Sequence, residues 1–314
     1  MNRFLIPIAV SLLVASLSAG AQPSGDKFMR GFTEEFNSDA SKNFVMQGNT
    51  SRYLCGVPSF SEKNRSMMLF RINPDDPAGA GRGPEIETPK LTHFGSYSSR
   101  FKVPDVTKVQ PKAGVVVGYF TYKFTKGYGL SEIDIEFLLA DPRIIYVGVW
   151  TSDPQEGSKL QRVGRAINLA TGEIISTDYR SFHDGYVNHQ FDSSYEAANT
   201  PATISAIEGF DASKQFCTYG FDWYPDRVTW WMERPDTGEK MILWDYNGTT
   251  PNYSGIPQSP SIHMFNFWHT PEWSVYTVPE SVEKPAYPYV LEIDWMKYEP
   301  FEKLSKEWRK SHNF

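Results

Sequence analysis

The most constraining feature of this 314-residue chain is a run in which acidic and apolar residues alternate strictly. The segment Glu132-Ile133-Asp134-Ile135-Glu136 places three carboxylates two residues apart, with an isoleucine in each gap. Side chains alternate between the two faces of a β-strand, so the pattern predicts a strand with its acids on one face and its apolar residues in a core. Like charges repel and acidic residues disfavour strands, so the acidic face requires an explanation.

The chemistry that fits such a face is glycoside hydrolysis with retention of configuration. It uses one carboxylate as nucleophile and one carboxylic acid as proton donor, about 5–5.5 Å apart. At ~3.3 Å per residue, Glu132 and Glu136 lie ~13 Å apart at Cα, so their side chains would have to lean together on a twisted strand. Asp134 can hydrogen-bond to one of them and hold the two protonation states apart. The alternative is a solvated strand face that happens to be acidic.

Strand-like segments separated by turn signals run through the rest of the chain. They cover residues 67–72, 94–103, 114–122, 144–150, 216–223, 228–233, 261–268 and 289–298. Many short strands without a clear long amphipathic helix predict an all-β fold, an antiparallel β-sandwich. We interpret residues 152–208 as an insertion of short strands or extended loop, and residues 301–314 as a short charged helix or tail.

The N-terminus has the features of a secretory signal peptide over residues 1–21. Arg3 supplies the positive start, residues 4–17 are mostly apolar, and Ala19-Gly20-Ala21 offers a cleavage site. The apolar run is shorter than the ~20 residues of a membrane span, so we predict cleavage after Ala21 rather than an anchor. The mature protein is expected to be a monomer, secreted to the extracellular space or periplasm, with no membrane partner after cleavage.

Charge and motifs argue against several other classes of function. The formal net charge of −6 gives no basic surface for nucleic acid or an anionic membrane. The six histidines lack the spacing of a transition-metal site, and there is no nucleophile elbow or phosphate-binding glycine loop. Cys55 and Cys217 can pair in an exported protein, and a buried free thiol at Cys217 is the alternative.

A second Glu-Ile-Asp, at residues 292–294, provides an internal comparison. Met296 stands where the first copy has Glu136. Without a second glutamate this copy has no acid/base partner, so we assign catalysis to the first copy alone.

The six residues from Glu132 to Phe137 resemble the catalytic signature of glycoside hydrolase family 16. The resemblance continues in order through Phe94-Gly95-Ser96-Tyr97, Tyr119-Phe120-Thr121-Tyr122, Phe210-Asp211-Ala212-Ser213-Lys214, the segment 216–223, Phe265-Asn266-Phe267-Trp268 and Asp294-Trp295-Met296-Lys297-Tyr298. It covers most of the mature chain outside residues 152–208 and the tail. It implies a concanavalin A-like jelly-roll β-sandwich over residues 22–300, with a sugar cleft on the concave sheet.

The resemblance also implies a role for each acid. Glu132 would be the nucleophile, Asp134 its hydrogen-bonding helper and Glu136 the general acid/base, with no cofactor in the chemistry. No extra residue bulges the strand between Asp134 and Glu136, as in lichenases and xyloglucan-active members, whereas many laminarinases carry that bulge.

Further positions match the substrate cleft of the lichenases. They are Glu85, Phe120, Tyr122, Trp150, Asn266 and Trp268. In this resemblance Trp268 would stack on a sugar ring and Asn266 would hydrogen-bond near the cleavage point. Asp294 matches an acid that helps to hold a structural calcium ion on the convex face, together with backbone carbonyls. A plain surface aspartate is the alternative for Asp294.

The chain also departs from the lichenase pattern within the cleft. Glu87 stands where lichenases carry an arginine, and Leu130 replaces a tryptophan. Gly148 and Trp150 stand where an asparagine and a tyrosine are expected. These positions line sugar subsites, so the departures leave the identity of the substrate open.

The sequence therefore predicts a secreted, retaining, endo-acting hydrolase of β-1,3-1,4- or β-1,3-glucan, with a polysaccharide as its partner. One alternative is another family 16 activity: cleavage of agarose, xyloglucan or another galactan, or transglycosylation. Others are a non-catalytic carbohydrate-binding protein and a structural protein of a wall or matrix. Binding alone does not need three stacked acids, which favours the enzyme.

Overall fold

The structure is a computed structural model that describes residues 27–49, 52–181, 187–190, 200–247 and 255–314. The signal peptide predicted for residues 1–21 lies outside these ranges. In the part of the chain that is described, no helix combines the length and the apolar character that crossing a lipid bilayer requires.

Across the described residues the chain forms seventeen β-strands and one α-helix. The strands are β1 (Phe32–Glu34), β2 (Val45–Gly48), β3 (Tyr53–Pro58), β4 (Ser66–Ile72), β5 (Pro84–Glu87), β6 (Gly95–Lys102), β7 (Val115–Thr125), β8 (Gly129–Leu138), β9 (Ile144–Ser152), β10 (Leu160–Asn168), β11 (Glu173–Ser181), β12 (Val187–Gln190), β13 (Cys217–Trp223), β14 (Val228–Glu233), β15 (Lys240–Tyr246), β16 (Ile262–His269) and β17 (Tyr289–Pro300), and the helix is α1 (Glu302–His312).

The strands build two antiparallel sheets. One has the order β15-β14-β13-β6-β17-β4-β3, with β1 also paired to β17, and the other has the order β12-β11-β10-β9-β8-β7-β16-β5-β2. Strands far apart in the chain are neighbours, such as β6 with β17 and β7 with β16, because the chain crosses repeatedly between the sheets. This arrangement confirms the predicted all-β jelly-roll sandwich.

The core lies between the two sheets and is built from the apolar face of each strand. Ile133, Ile135 and Phe137 of β8 are buried there, as their alternation predicts. Phe101 of β6 packs edge-on against Phe265 of β16, with 5.1 Å between ring centroids, so side chains of both sheets meet directly. The acids of β8 therefore project from the opposite face of the nine-stranded sheet, which we call the acid face.

The described part of residues 152–208 is more regular than the expected short strands or extended loop. β10 and β11 are nine residues long each and continue the sheet beyond β9, with every residue of β10 in register. Gly164 sits inside β10 without ending it, and Gly172 forms the turn to β11 with a φ of 73°, which favours glycine. Gly164 and Gly172 therefore serve a strand and a tight turn.

Residues 301–314 contain the helix α1, the first of the two forms that the sequence allows. Ser305 and Trp308 are the buried residues of α1, and the Trp308 ring packs edge-on against His93 at 4.9 Å between centroids. Asn313 ends the helix in the left-handed conformation that a C-terminal cap adopts. The helix is thus docked on the sandwich by its apolar side.

The two cysteines are free thiols in this structure. Cys55 lies on β3 and Cys217 on β13, which are separated by β6, β17 and β4 in the same sheet. Four strand spacings of ~4.8 Å amount to ~19 Å, far beyond the ~7 Å limit between the Cα atoms of a disulfide. The fold therefore selects the buried free thiol for Cys217.

Candidate active site

The three acids lie at the centre of the nine-stranded sheet, because β8 has four strands on either side. Glu132 lies opposite Tyr122 on β7 and Trp150 on β9, and Asp134 lies opposite Phe120 on β7. Facing residues of neighbouring strands share one face of a sheet, so these aromatic rings flank the acids on the acid face.

The backbone of β8 is held from the core side by hydrogen bonds. Trp230 of the opposite sheet is fully buried, and its indole Nε1 donates to the carbonyl oxygen of Asp134 at 2.9 Å. Ser261 Oγ donates to the carbonyl oxygen of Ser131 at 2.9 Å, and Ser131 Oγ lies 3.0 Å from Ser259 Oγ. These contacts fix the strand from which the three carboxylates project.

Burial and mutual charge control the ionisation of the acids. Burial raises the pKa of Glu132, Asp134 and Glu136. The charge of Glu136 raises the pKa of Glu132 further, and the charges of Glu132 and Glu136 raise that of Asp134. The guanidinium of Arg162 acts in the opposite direction and lowers the pKa of all three carboxyl groups. The row therefore does not carry three full charges near neutral pH, and a protonated acid can stand beside an ionised one.

Glu85 and Asn266 lie in the same row of the sheet as Glu136. Asn266 faces Gly118 on β7, and Gly118 in turn faces Glu136. A Cβ on Gly118 would lie 2.5 Å from Asn266 Oδ1, so the missing side chain lets the amide lean over β7. Asn266 Nδ2 donates to Glu85 Oε2 at 3.4 Å, and burial raises the pKa of Glu85 to about 7.

The aromatic residues predicted to bind sugar also lie on the acid face. Phe120, Tyr122, Trp150 and Trp268 are each partly exposed there. Partly exposed rings beside a row of acids provide the flat apolar surfaces on which sugar rings stack. All six residues predicted to contact substrate and all three predicted catalytic residues therefore share one face of one sheet.

The departures from the lichenase pattern have identifiable surroundings. Glu87 lies on the acid face, where Gln47 Nε2 donates to its Oε1 at 3.0 Å and burial raises its pKa. Gly148 faces Asp134, so no side chain stands beside that acid on the acid face at this position. Leu130 is buried, and its backbone N–H donates to Ser152 Oγ at 2.9 Å.

Three residues near the acids were not predicted from the sequence to belong to the site. Tyr146 faces Glu136 and is buried, and Trp230 contacts Asp134 from the core. Arg162 lies on β10, within the segment interpreted as an insertion. Residues 160–168 show no strict alternation of polar and apolar residues, so the sequence carried no strand signal that would have placed Arg162 on this face.

The surroundings of Asp294 do not fit the predicted calcium ion. Arg65 Nη2 donates to both of its carboxylate oxygens, at 2.7 and 2.6 Å, and Arg100 Nη1 donates to Oδ2 at 2.6 Å. Calcium is held by oxygen ligands, whereas here two cationic groups already occupy the carboxylate, which is 3% exposed. Asp294 is the buried member of an ion-pair cluster with Arg65 and Arg100. Elsewhere in the described part of the chain, no group of three His, Cys, Asp or Glu residues is placed to hold a metal ion.

No family model matches the chain. Comparison with individual known proteins finds similarity to bacterial beta-glucanases. The chain is 35% identical over 219 residues to a beta-glucanase of Brevibacillus brevis, covering 69% of this chain and 60% of the relative. It is 31% identical over 192 residues to a beta-glucanase of Paenibacillus polymyxa, covering 61% of this chain and 56% of the relative. It thus spans less than two thirds of the length of either relative.

The fold is also found among solved structures. The beta-glucanase of Bacillus licheniformis superposes with a TM-score of 0.50 at 18% identity, over 86% of this chain and 98% of that chain. At this identity the likeness establishes the jelly-roll fold.

Proposed function

Since the chain is a lichenase-like relative of the bacterial beta-glucanases in glycoside hydrolase family 16, we propose that it is a retaining hydrolase that cleaves β-glucan within the polymer. The observation that carries the proposal is the row of three acids at the centre of one sheet, with Asp134 buried, both glutamates partly buried, and aromatic rings on either side. Two carboxyl groups that differ in protonation on one face are what this reaction requires.

In the first step the carboxylate of Glu132 attacks the anomeric carbon. The bond from that carbon to the leaving oxygen breaks, and protonated Glu136 gives its proton to this oxygen. The product is a glycosyl ester on Glu132. In the second step the Glu136 carboxylate takes a proton from water, the water oxygen attacks the anomeric carbon, and Glu132 leaves as a carboxylate.

Asp134 supports these steps from between the two glutamates. It lies two residues from each of them on the same strand face, and its backbone carbonyl is fixed by the Trp230 indole. Burial raises the pKa of Asp134 well above its usual range, so its protonated form can donate a hydrogen bond to a neighbouring carboxylate. We assign it the role of orienting Glu132 and separating the protonation states of the two glutamates.

We propose mixed-linkage β-1,3-1,4-glucan or β-1,3-glucan as the substrate. The aromatic rings of Tyr122, Trp150 and Trp268 would stack on successive sugars, and Asn266 with Glu85 would hydrogen-bond to hydroxyl groups beside Glu136. Glu87 and Gly148 differ from the lichenase pattern on this face, so the linkage preference of this chain is expected to differ from that of lichenases.

We also propose that the protein is exported, on the basis of the signal-like sequence at residues 1–21. Expression of the full chain in a bacterial host, followed by N-terminal sequencing of the exported protein, tests this. The mature protein is expected to begin at Gln22. Protein that stays in the cytoplasm with residues 1–21 intact would contradict the proposal.

The hydrolase proposal is tested by product release from barley β-glucan, laminarin, xyloglucan and agarose. Wild type, Glu132→Gln and Glu173→Gln are compared, because Glu173 is an exposed glutamate on the same sheet and serves as a matched control. We expect short oligosaccharides from a glucan with wild type and Glu173→Gln. Glu132→Gln should lose at least about 10³-fold in rate while keeping its fold, as loss of a nucleophile does.

A sugar-binding protein without catalysis is the competing candidate, and it predicts a different result. Wild type and Glu132→Gln would then retain each glucan equally well, and neither would release product. Product from agarose or xyloglucan, instead of barley β-glucan or laminarin, would support the same mechanism with a different substrate.

A further inference from the structure

Arg162 is a cation of the acid face to which the mechanism above gives no role. It lies on β10 and faces Trp150 on β9, which in turn faces Glu132 on β8. The row Glu132, Trp150, Arg162 therefore places the arginine on the same face as the acids, two strands away. Its side chain is 14% exposed, so its charge is largely removed from water.

The guanidinium of Arg162 lies over a glycine floor. A Cβ on Gly164 would stand 2.5–2.7 Å from the guanidinium atoms, so the group rests on the space that this glycine leaves free. Gly164 faces Gly148, and Gly148 faces Asp134. Gly164 and Gly148 thus leave the surface of the sheet between the guanidinium and Asp134 without a side chain.

Asp178 on the neighbouring strand is the ion-pair partner of Arg162. Asp178 on β11 lies 3.6 Å from Nη1, which is too long for a hydrogen bond, and the Trp150 ring centroid lies 5.9 Å from the guanidinium carbon. Besides the acids of β8, the described charged or titratable side chains of this face include Glu85 and Glu87 on β5, Tyr122 on β7, Tyr146 on β9, Glu173, Asp178 and Arg180 on β11, and Tyr276, whose ring stacks on Tyr146. Towards β5 the acids of β8 face more acids, and towards β10 they face a cation.

We propose that Arg162 is the counter-charge of the acid row, a positioning residue that lets the row carry the negative charge that the nucleophile needs. The inference rests on the proposed function and extends it. Burial and repulsion oppose ionisation of Glu132, and the cation across the two glycines favours it. The same guanidinium lowers the pKa of Asp134 and Glu136, so it acts on the row as a whole.

The size of the effect follows from the sheet geometry. Two strand spacings of ~4.8 Å put the charge on β10 about 10 Å from β8. At that distance and an effective dielectric constant of about 20, one unit charge shifts a carboxyl pKa by about one unit. A nearby positive charge lowers a carboxyl pKa, so its removal raises the pKa and both limbs of the activity profile move to higher pH.

The first test compares the pH dependence of kcat/KM for wild type, Arg162→Lys, Arg162→Gln and Gly164→Ala on the glucan that wild type cleaves. Arg162→Gln is expected to move both limbs up by about one pH unit, and Arg162→Lys to leave them within about 0.3 unit of wild type. Gly164→Ala keeps the charge and displaces the guanidinium, so it should move the limbs in the same direction as Arg162→Gln. A loss of kcat/KM by the same factor at every pH would overturn the proposal.

The second test does not depend on turnover. Carboxyl carbons of glutamate are followed by 13C NMR in wild type, Arg162→Gln and Arg162→Lys, and Glu132→Gln identifies the signal of Glu132. We expect the titration of Glu132 to move up by about one pH unit in Arg162→Gln and not in Arg162→Lys. If it moves but wild type cleaves no polymer, the proposed function fails and the inference stands. Unmoved titrations with lost activity would refute the inference alone.

Discussion

Replacing Asp294 with asparagine removes a carboxylate on β17 that binds two arginines, one of which, Arg100, lies on β6. Arg65 and Arg100 each approach it at 2.6 Å, and it is buried. Asparagine has nearly the same shape, so the change removes charge with little change in packing. The expected result is a loss of stability without loss of the acid row, because β8 lies in the other sheet.

The magnitude follows from what each arginine can do afterwards. Removing one member of a buried ion pair costs about 3–5 kcal/mol, because an uncompensated charge stays behind. Arg65 is 51% exposed and can turn to water, and Arg100 keeps its 2.6 Å contact with Glu62. We therefore expect the low end, about 3 kcal/mol, which corresponds to a decrease in Tm of roughly 5 °C for a domain of this size.

The assay is thermal unfolding of wild type, Asp294→Asn and the control Glu299→Gln, each with EDTA and with added calcium. Glu299 lies on the same strand in an exposed pair with Lys297 at 2.9 Å, so its loss should cost at most about 1 kcal/mol. We expect EDTA to leave the Tm of wild type unchanged. A Tm that falls on chelation in wild type and not in Asp294→Asn would refute the ion-pair account and restore a calcium site.

Three further predictions concern the frame of the active site. Trp230→Phe removes the indole donor to the Asp134 carbonyl. It should lower the free energy of unfolding in urea by about 1–2 kcal/mol and also lower kcat. An unchanged kcat would show that this contact does not orient the acids. Gly118→Ala places a Cβ 2.5 Å from Asn266 Oδ1 and should lower kcat/KM at least about tenfold without a matching loss of Tm, whereas full activity would mean that the amide is free to move. Burial lowers the pKa of His263 to about 3, so the unfolded imidazole binds a proton first and stability falls as the pH drops from about 6.5 towards 3. His263→Phe should flatten that decline in urea unfolding measured between pH 4 and 7, and an unchanged slope would assign acid sensitivity to other groups.

The alternation of acids and isoleucines in β8 was predictable because a half-buried strand imposes a period of two on its sequence. The same pattern determined which residues enter the core, and Ile133, Ile135 and Phe137 do so. The order of matched segments placed Asn266 and Trp268 beside the acids, and the register confirms that they share the acid face.

Other parts of the site depend on contacts that a linear pattern does not encode. Gly164 looks like a loop residue until the guanidinium of Arg162 is seen lying over it. The partners of Asp294 come from residues 65 and 100, more than 190 positions away, so its matching position suggested calcium where the fold supplies two cations. Long-range partners of this kind are fixed by tertiary packing rather than by local propensity.

The most direct test of the central claim is chemical rescue with azide, using an aryl β-oligosaccharide of the cleaved glucan with an activated leaving group. Azide should restore turnover of Glu132→Ala and give the α-glycosyl azide, because it enters where the nucleophile stood. It should restore turnover of Glu136→Ala and give the β-glycosyl azide, because the glycosyl ester on Glu132 forms first. A β-azide from Glu132→Ala, or full activity of that variant without azide, would contradict Glu132 as the nucleophile.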